Sequence, residues 1–402
     1  MKIFLTALLV LMFLPNVAGA QERNFSASVN EFCWKFFGTL ERNENAVFSP
    51  YGIHAALSLL SNGATGETQA ELLRALSVDD LDALNGGHKN FSAYAAKTYD
   101  KTFAEANMFL IDKKVGGRGL DKNFKLTADD VYKAYLREAD FAGNLAGERK
   151  KITRFVDDKT RGLIPDYRPL VDENTLTDLL NVVYFSGDWQ FPFDPRRTQR
   201  EDFTNCDGTK FSIDMMNKTF DEEISYRADE NFCGIKLPYT TGAAMYLILP
   251  TDENALNVTE LWNAQSVEYL ENFLDALKTS PPFDGKVVVS MPNTSFDYES
   301  FIVQNLMALG IRKAFTSDAE FFNVINDTQL KISAANHRAT INVDERGTKA
   351  AAVTEISMLE GTAPGFNHPP QVVYFHANRP YIFVIRDIET SMTLFVGAVN
   401  KF

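Results

Sequence analysis

The sequence predicts an α+β fold, with helices concentrated early in the chain and a large sheet assembled mostly from later strands. Three observations lead there. Capped segments with helical spacing of apolar residues lie in the N-terminal part. Short runs rich in β-branched and aromatic residues follow them. One stretch, KISAANHRATINV, alternates between two faces over its whole length.

The helices come first. Ser49-Pro50 is a strong helix start, because serine caps free N–H groups and proline suits the first turn. Ile53, Ala56, Leu57 and Leu60 then recur at helical spacing, and Asn62-Gly63 closes the segment. TQAELLRAL, Thr68 to Leu76, predicts a second helix. ERKKITRFVDDKTRGLI predicts a third, beginning at Glu148 and stopped near Gly162.

LLNVVYF, AAMYLILP, KVVVSMP, YIFVIRD and TLFVGAV read as strands, the last two as a hairpin around IETSM. In the alternating stretch, Ala335, His337, Ala339, Ile341 and Val343 share one face. Asn336, Arg338, Thr340 and Asn342 share the other. A period of two over this length predicts a long strand with the first set buried and the second exposed.

Residues 1–20 read as a secretory signal peptide. Lys2 precedes an apolar run from Ile3 to Leu14, and Ala18-Gly19-Ala20 supplies a small-residue cleavage site. The run is shorter than the ~20 residues a membrane span requires. Residues 21–402 then form one large domain: no linker, repeat or low-complexity tract divides them, and 45% hydrophobic residues can fill a large core. The net charge of −13, which becomes −14 without Lys2, disfavours nucleic acid and anionic membrane as partners. The densest basic run, RKKITR at 149–154, reads as a solvated helix face. Cys33, Cys206 and Cys233 allow at most one internal disulfide. Cys206 with Cys233 is the nearer pair, and free thiols are the other option. In an exported chain, Asn24, Asn90, Asn217, Asn257, Asn293 and Asn326 are candidate glycosylation sites.

Catalytic signatures are sparse. HExxH, paired CxxC and GxSxG are all missing, so no metal, cofactor or hydrolase site is expected. GATGET, at 63–68, lacks the lysine of a phosphate loop and reads as a helix end and a turn. His337 falls on the buried face of the long strand, where a hydrogen-bonded core histidine is the simplest reading, with a switch or catalytic role as the other.

Several spaced motifs resemble the serpins, the serine protease inhibitor superfamily. They are NAVFSPYGIHAALSLLSNGATGETQAEL, LLNVVYFSGDWQFPF, HRATINVDERGTKAAAVT and FHANRPYIFVIRDIETSMTLFVGAV, in that order along the chain. The resemblance implies three sheets, about nine helices and an exposed reactive loop, here about residues 345–370. It implies a monomer acting as a suicide substrate. A serine protease attacks the loop and forms an acyl-enzyme, and the cut loop inserts into the largest sheet. This is a recognised instance of stored strain released by loop insertion. Carried over by motif, Glu345, Gly347, Thr348, Ala350, Ala351, Ala352 and Thr354 form the hinge. Ser49, Asn181 and His337 form a polar cluster under the opening sheet, and Trp189 lies where the loop first enters. Gly52 departs from the family, which often has a second serine there. Arg346 and Lys349 replace common hinge acids.

The loop can also be read on its own chemistry. Thr348, Ala350, Ala352, Thr354, Ile356 and Met358 make one alternate set, small or apolar. The other set holds both charges, Lys349 and Glu355. The segment can therefore become a half-buried strand without burying an unpaired charge. Sixteen residues beyond Glu345 stands Gly361, which makes Gly361-Thr362 the expected scissile bond. Met358, Leu359 and Phe366 are alternatives. These residues favour an elastase-like or chymotrypsin-like target over a trypsin-like one, because no Arg or Lys occurs between Lys349 and Arg379. A non-inhibitory serpin, acting as carrier, storage or signalling protein, is the competing reading. An ER-resident form is disfavoured by the ending AVNKF.

Overall fold

Ser49 does cap its helix. Its hydroxyl accepts from the Gly52 N–H, Pro50 occupies the first turn, and the helix runs Pro50–Gly63. Nearly every residue of that helix is buried, so it is apolar all round and lies inside the molecule. Ile53, Leu57 and Leu60 are each essentially inaccessible, and each contributes about 2 kcal/mol by burial. A computed structural model describes residues 17–100, 102–117, 119–325, 330–348 and 371–402.

Among the described residues there are ten α-helices, three large sheets and one short strand pair. A five-stranded main sheet has the order Thr294–Phe301, Ala334–Val343, Thr177–Phe185, Phe103–Asp112, Tyr135–Ala139. A six-stranded sheet contains Ala243–Pro250 and the C-terminal hairpin Tyr381–Asp387 with Thr393–Val399. A four-stranded sheet contains Lys210–Asp221 and Lys286–Pro292. The Pro50–Gly63 helix packs between the main and six-stranded sheets, touching Thr177–Phe185 on one side and Thr393–Val399 on the other. The helix Phe141–Lys159 covers the opposite face of the main sheet, where Ile152 and Val156 join Met108, Leu180 and Val182 in a second core.

Most sequence expectations match these elements, and three need correction. The Phe141–Lys159 helix starts seven residues before Glu148, because Asp140 caps it at Gly143 N–H, and it is kinked at Asn144. The interior strand Phe103–Asp112, between Thr177–Phe185 and Tyr135–Ala139, is not among the strands the sequence predicts. Asn336, expected on an exposed face, is buried. Ile152 and Val156 of the Phe141–Lys159 helix and Ile164, Tyr167 and Val171 after it build a second core on that face, which a single strand's alternation does not report. All three cysteines are free. Within RKKITR, Arg149, Lys150, Lys151 and Arg154 are exposed while Ile152 anchors the helix. Residues 1–16 of the expected signal segment lie outside the described residues, and Val17–Ala20 opens the helix Val17–Phe37. No described helix is long and apolar enough to cross a membrane.

Candidate functional site

The feature that distinguishes the main sheet is a parallel joint at its centre. Ala334–Val343 and Thr177–Phe185 run side by side in the same direction, with His337 opposite Asn181 and Ile341 opposite Phe185. Every other contact of this sheet except its far edge is antiparallel.

A buried hydrogen-bond chain crosses the joint. The Ser49 N–H donates to His337 Nε2 at 3.0 Å, which places the ring proton on Nδ1. Nδ1–H then donates to Asn181 Oδ1 at 2.8 Å. Asn181 Nδ2 donates to Asn107 Oδ1 at 2.7 Å, and Asn107 Nδ2 to Glu105 at 2.9 Å. The chain thus links a helix start to three adjacent strands. Burial depresses the His337 pKa to about 3, so the ring is neutral and both nitrogens keep fixed roles. Burial pushes Glu105 up to about 7, opposed by its amide donors Asn107 and Asn181.

Gly52 gives this cluster its room. A Cβ there would lie 2.5 Å from Asn181 Oδ1 and 2.6 Å from Val183 Cγ2. The departure from the family serine therefore makes space for the Asn181 amide. The Ser49 hydroxyl is occupied by its cap, so Ser49 joins the cluster through its backbone N–H.

A second group of expected residues meets at the end of the joint nearest Val343. Gly347 and Thr348 pair with Asp188 and Gly187. Trp189 accompanies them closely: its indole N–H donates to the Asp344 carbonyl at 3.0 Å and its backbone N–H to the Arg346 carbonyl at 2.8 Å. Its ring stacks on Tyr239 at 4.4 Å. Gly347 adopts φ +154°, and a Cβ would come 2.1 Å from the Gly187 carbonyl oxygen. Only glycine permits that approach. The Glu345 carboxylate accepts from Thr198 Oγ1 at 2.5 Å and Asn293 Nδ2 at 2.9 Å. Burial works against its ionisation, but these donors outweigh it and hold the pKa below the ordinary carboxylate value.

Ser49, Asn181 and His337 are therefore in one cluster, and Trp189, Glu345 and Gly347 in another. Ala350, Ala351, Ala352, Thr354, Met358, Leu359, Gly361, Thr362 and Phe366 lie outside the described residues. So do Asn326 and the side chain of Asn24. Asn90 and Asn257 are exposed, whereas the Asn217 and Asn293 amides are engaged by Glu201 and Glu345. Asn107, Glu105, Thr198 and Tyr239 escaped sequence reading. The polar pair Glu105 and Asn107 inside the otherwise apolar FAEANMFLID was the available signal.

Comparison with known proteins agrees with this architecture. The family described as Serpin (serine protease inhibitor) matches residues 27–402. Iripin-2 of Ixodes ricinus is 29% identical over 364 residues, covering 89% of this chain and 88% of the relative. Putative serpin-Z12 of Oryza sativa is 31% identical over 376 residues, covering 89% and 85%. The native structure of the thermophilic serpin tengpin superposes with a TM-score of 0.80 at 27% identity, covering 94% of each chain. Human thyroxine-binding globulin in complex with its ligand superposes at 0.81 and 24% identity, covering 95% and 99%, a likeness of fold. With the family match spanning nearly the whole chain and solved serpin structures sharing its architecture, this chain belongs to the serpin family.

Proposed function

We propose that this serpin inhibits serine proteases by inserting its cleaved loop between Thr177–Phe185 and Ala334–Val343. The observation that carries the reading is the parallel joint. Two strands running the same way can accept one antiparallel strand between them, with ladder bonds to both sides. The chain leaves Val343 through Glu345 and Gly347 directly beside that joint. A loop strand starting there would run antiparallel to both neighbours, and its small or apolar alternate set would face the core.

The reactive bond is proposed at Gly361-Thr362, with Met358, Leu359 and Phe366 as alternatives. The target is then elastase-like or chymotrypsin-like. Residues 1–20 are proposed as a signal peptide that directs a monomeric inhibitor outside the cell. Among the glycosylation candidates, exposed Asn90 and Asn257 are the best placed, because Asn217 and Asn293 already spend their amides inside the protein.

The test is incubation with elastase-, chymotrypsin-, subtilisin- and trypsin-like proteases. Denaturant-stable complexes are expected with the first two classes, and sequencing of the released peptide reads the bond. Cleavage without complex across the panel would overturn the inhibitory reading in favour of a carrier or storage role.

A further inference from the structure

His337 and Asn181 tie the joint on the face toward the Pro50–Gly63 helix. The opposite face carries a second tie. Asp178, on Thr177–Phe185, alternates onto the same side as Leu180 and Val182, which share a core with the Phe141–Lys159 helix and with Tyr167 after it. Asn336, on Ala334–Val343, reaches across the joint and donates from Nδ2 to Asp178 Oδ1 at 2.8 Å. Both side chains are 2% exposed. Asn336 Oδ1 is buried, and among the described residues no donor reaches it. A buried acceptor left unpaired in this position destabilises the fold.

We propose that Asp178 is carried as a neutral carboxylic acid and pairs with the Asn336 amide through two hydrogen bonds, locking the joint where the loop must insert. One carboxyl oxygen accepts from Nδ2, as the structure shows. The other carries the proton and donates to Oδ1, the acceptor that otherwise has no partner. Turning the amide over leaves the requirement in place, since two oxygens at 2.8 Å also need a proton between them.

The surroundings fit an uncharged acid. Burial pushes Asp178 up to about 7, opposed only by the Asn336 hydrogen bond. From the segment following the Phe141–Lys159 helix, Tyr167 is the titratable group that feels Asp178, and Arg338 and Glu299 of the neighbouring strands also act on that phenol. Arg338 is itself paired with Asp297. Glu148 of the covering helix is engaged by Arg137 and Lys151. Asp112 accepts from the N–H groups of Lys114 and Phe141. No described cation is bonded or ion-paired to Asp178 to hold it ionised.

The consequence has a defined sign. The folded pKa lies above the ordinary value near 3.9, so the folded state binds the proton more tightly. This contribution is complete at low pH and is lost as pH rises from about 4 to about 7. Above that range the acceptor oxygens repel and the joint loosens. Insertion of a strand, which moves its neighbours apart by one ~4.8 Å spacing, must break the pair in any case.

The protonation is tested without reference to inhibition; only its effect on trapping rests on the loop-insertion reading. Difference infrared spectra of the full chain at pH 6 should contain a protonated-carboxyl band that is lost in Asp178→Asn. That variant keeps both hydrogen bonds as an amide–amide pair, so its thermal midpoint should rise above wild type at pH 8 and match it at pH 5. If it fails to fold, Asn336→Leu serves instead: the acid band must shift, because the carboxyl loses its partner. No band assignable to Asp178, or a wild-type pH profile in Asp178→Asn, would overturn the proposal even if protease trapping is normal. A confirmed band in a protein that traps no protease would instead retain the tie and reject the inhibitory function.

Discussion

His337 and Asn181 stand directly opposite one another in the parallel joint, and the 2.8 Å bond between them is, among the described residues, the only hydrogen bond from side chain to side chain across its core face. It is short, fully buried and made by a neutral ring. Separating the two strands must break it, so the bond resists opening of the sheet, including the opening that the proposed loop insertion would require.

His337→Ala should therefore loosen the closed sheet. The change leaves the Ser49 N–H and Asn181 Oδ1 without their partner, at a cost of about 1–3 kcal/mol per unsatisfied group. Denaturant unfolding should shift to lower midpoint, and amide exchange should accelerate in both joint strands. Unchanged exchange there would mean that the histidine does not restrain opening.

Gly52→Ser, which restores the common family residue, should destabilise this protein. The new Cβ would lie 2.5 Å from Asn181 Oδ1, displacing the amide from His337. Overpacking of this kind costs about 1–3 kcal/mol. A thermal melt decides the matter: an equal or higher midpoint would show that the cluster repacks freely.

Thr348→Arg places a long charge on the face of the loop that would turn inward on insertion. Burial of an unpaired charge is expensive, so the variant should be cleaved as a substrate while covalent complex falls sharply. Gly347→Ala should act earlier, by clashing with the Gly187 carbonyl and weakening the Trp189 contacts before any protease arrives. Trp189 fluorescence reads the second effect, and gel analysis of complex against cleaved product reads the first.

Acid should destabilise the fold through its histidines. Burial lowers His337 and His54 to about 3 and His88 well below its ordinary value. His54 Nδ1 and His88 Nε2 face each other at 3.0 Å, which leaves no room for charge on both. Each group binds its proton more readily in the unfolded chain, so stability is lost as pH falls from about 6.5 toward 3. His88→Gln should flatten part of that dependence in denaturant midpoints measured from pH 7 to 4. A slope identical to wild type would place the sensitivity elsewhere.

Sequence by itself determined the elements whose pattern is local. The Ser49-Pro50 start, the Ala243–Pro250 and Lys286–Pro292 strands and the C-terminal hairpin follow from capping chemistry and side-chain period, which need no partner. The same alternation marked His337 as buried, and the spaced motifs carried the family. Only the tertiary structure decided which polar residues meet. Asp178 and Asn336 are 158 positions apart and carry no motif; Asn336 even occupies the polar face of its strand. They become a buried pair because the Phe141–Lys159 helix and the segment after it, with Ile164, Tyr167 and Val171, build a core on that face. Glu105, Thr198 and Tyr239 likewise acquire their roles from strand order. Period reports which face a residue lies on, but what covers that face depends on segments distant in the chain.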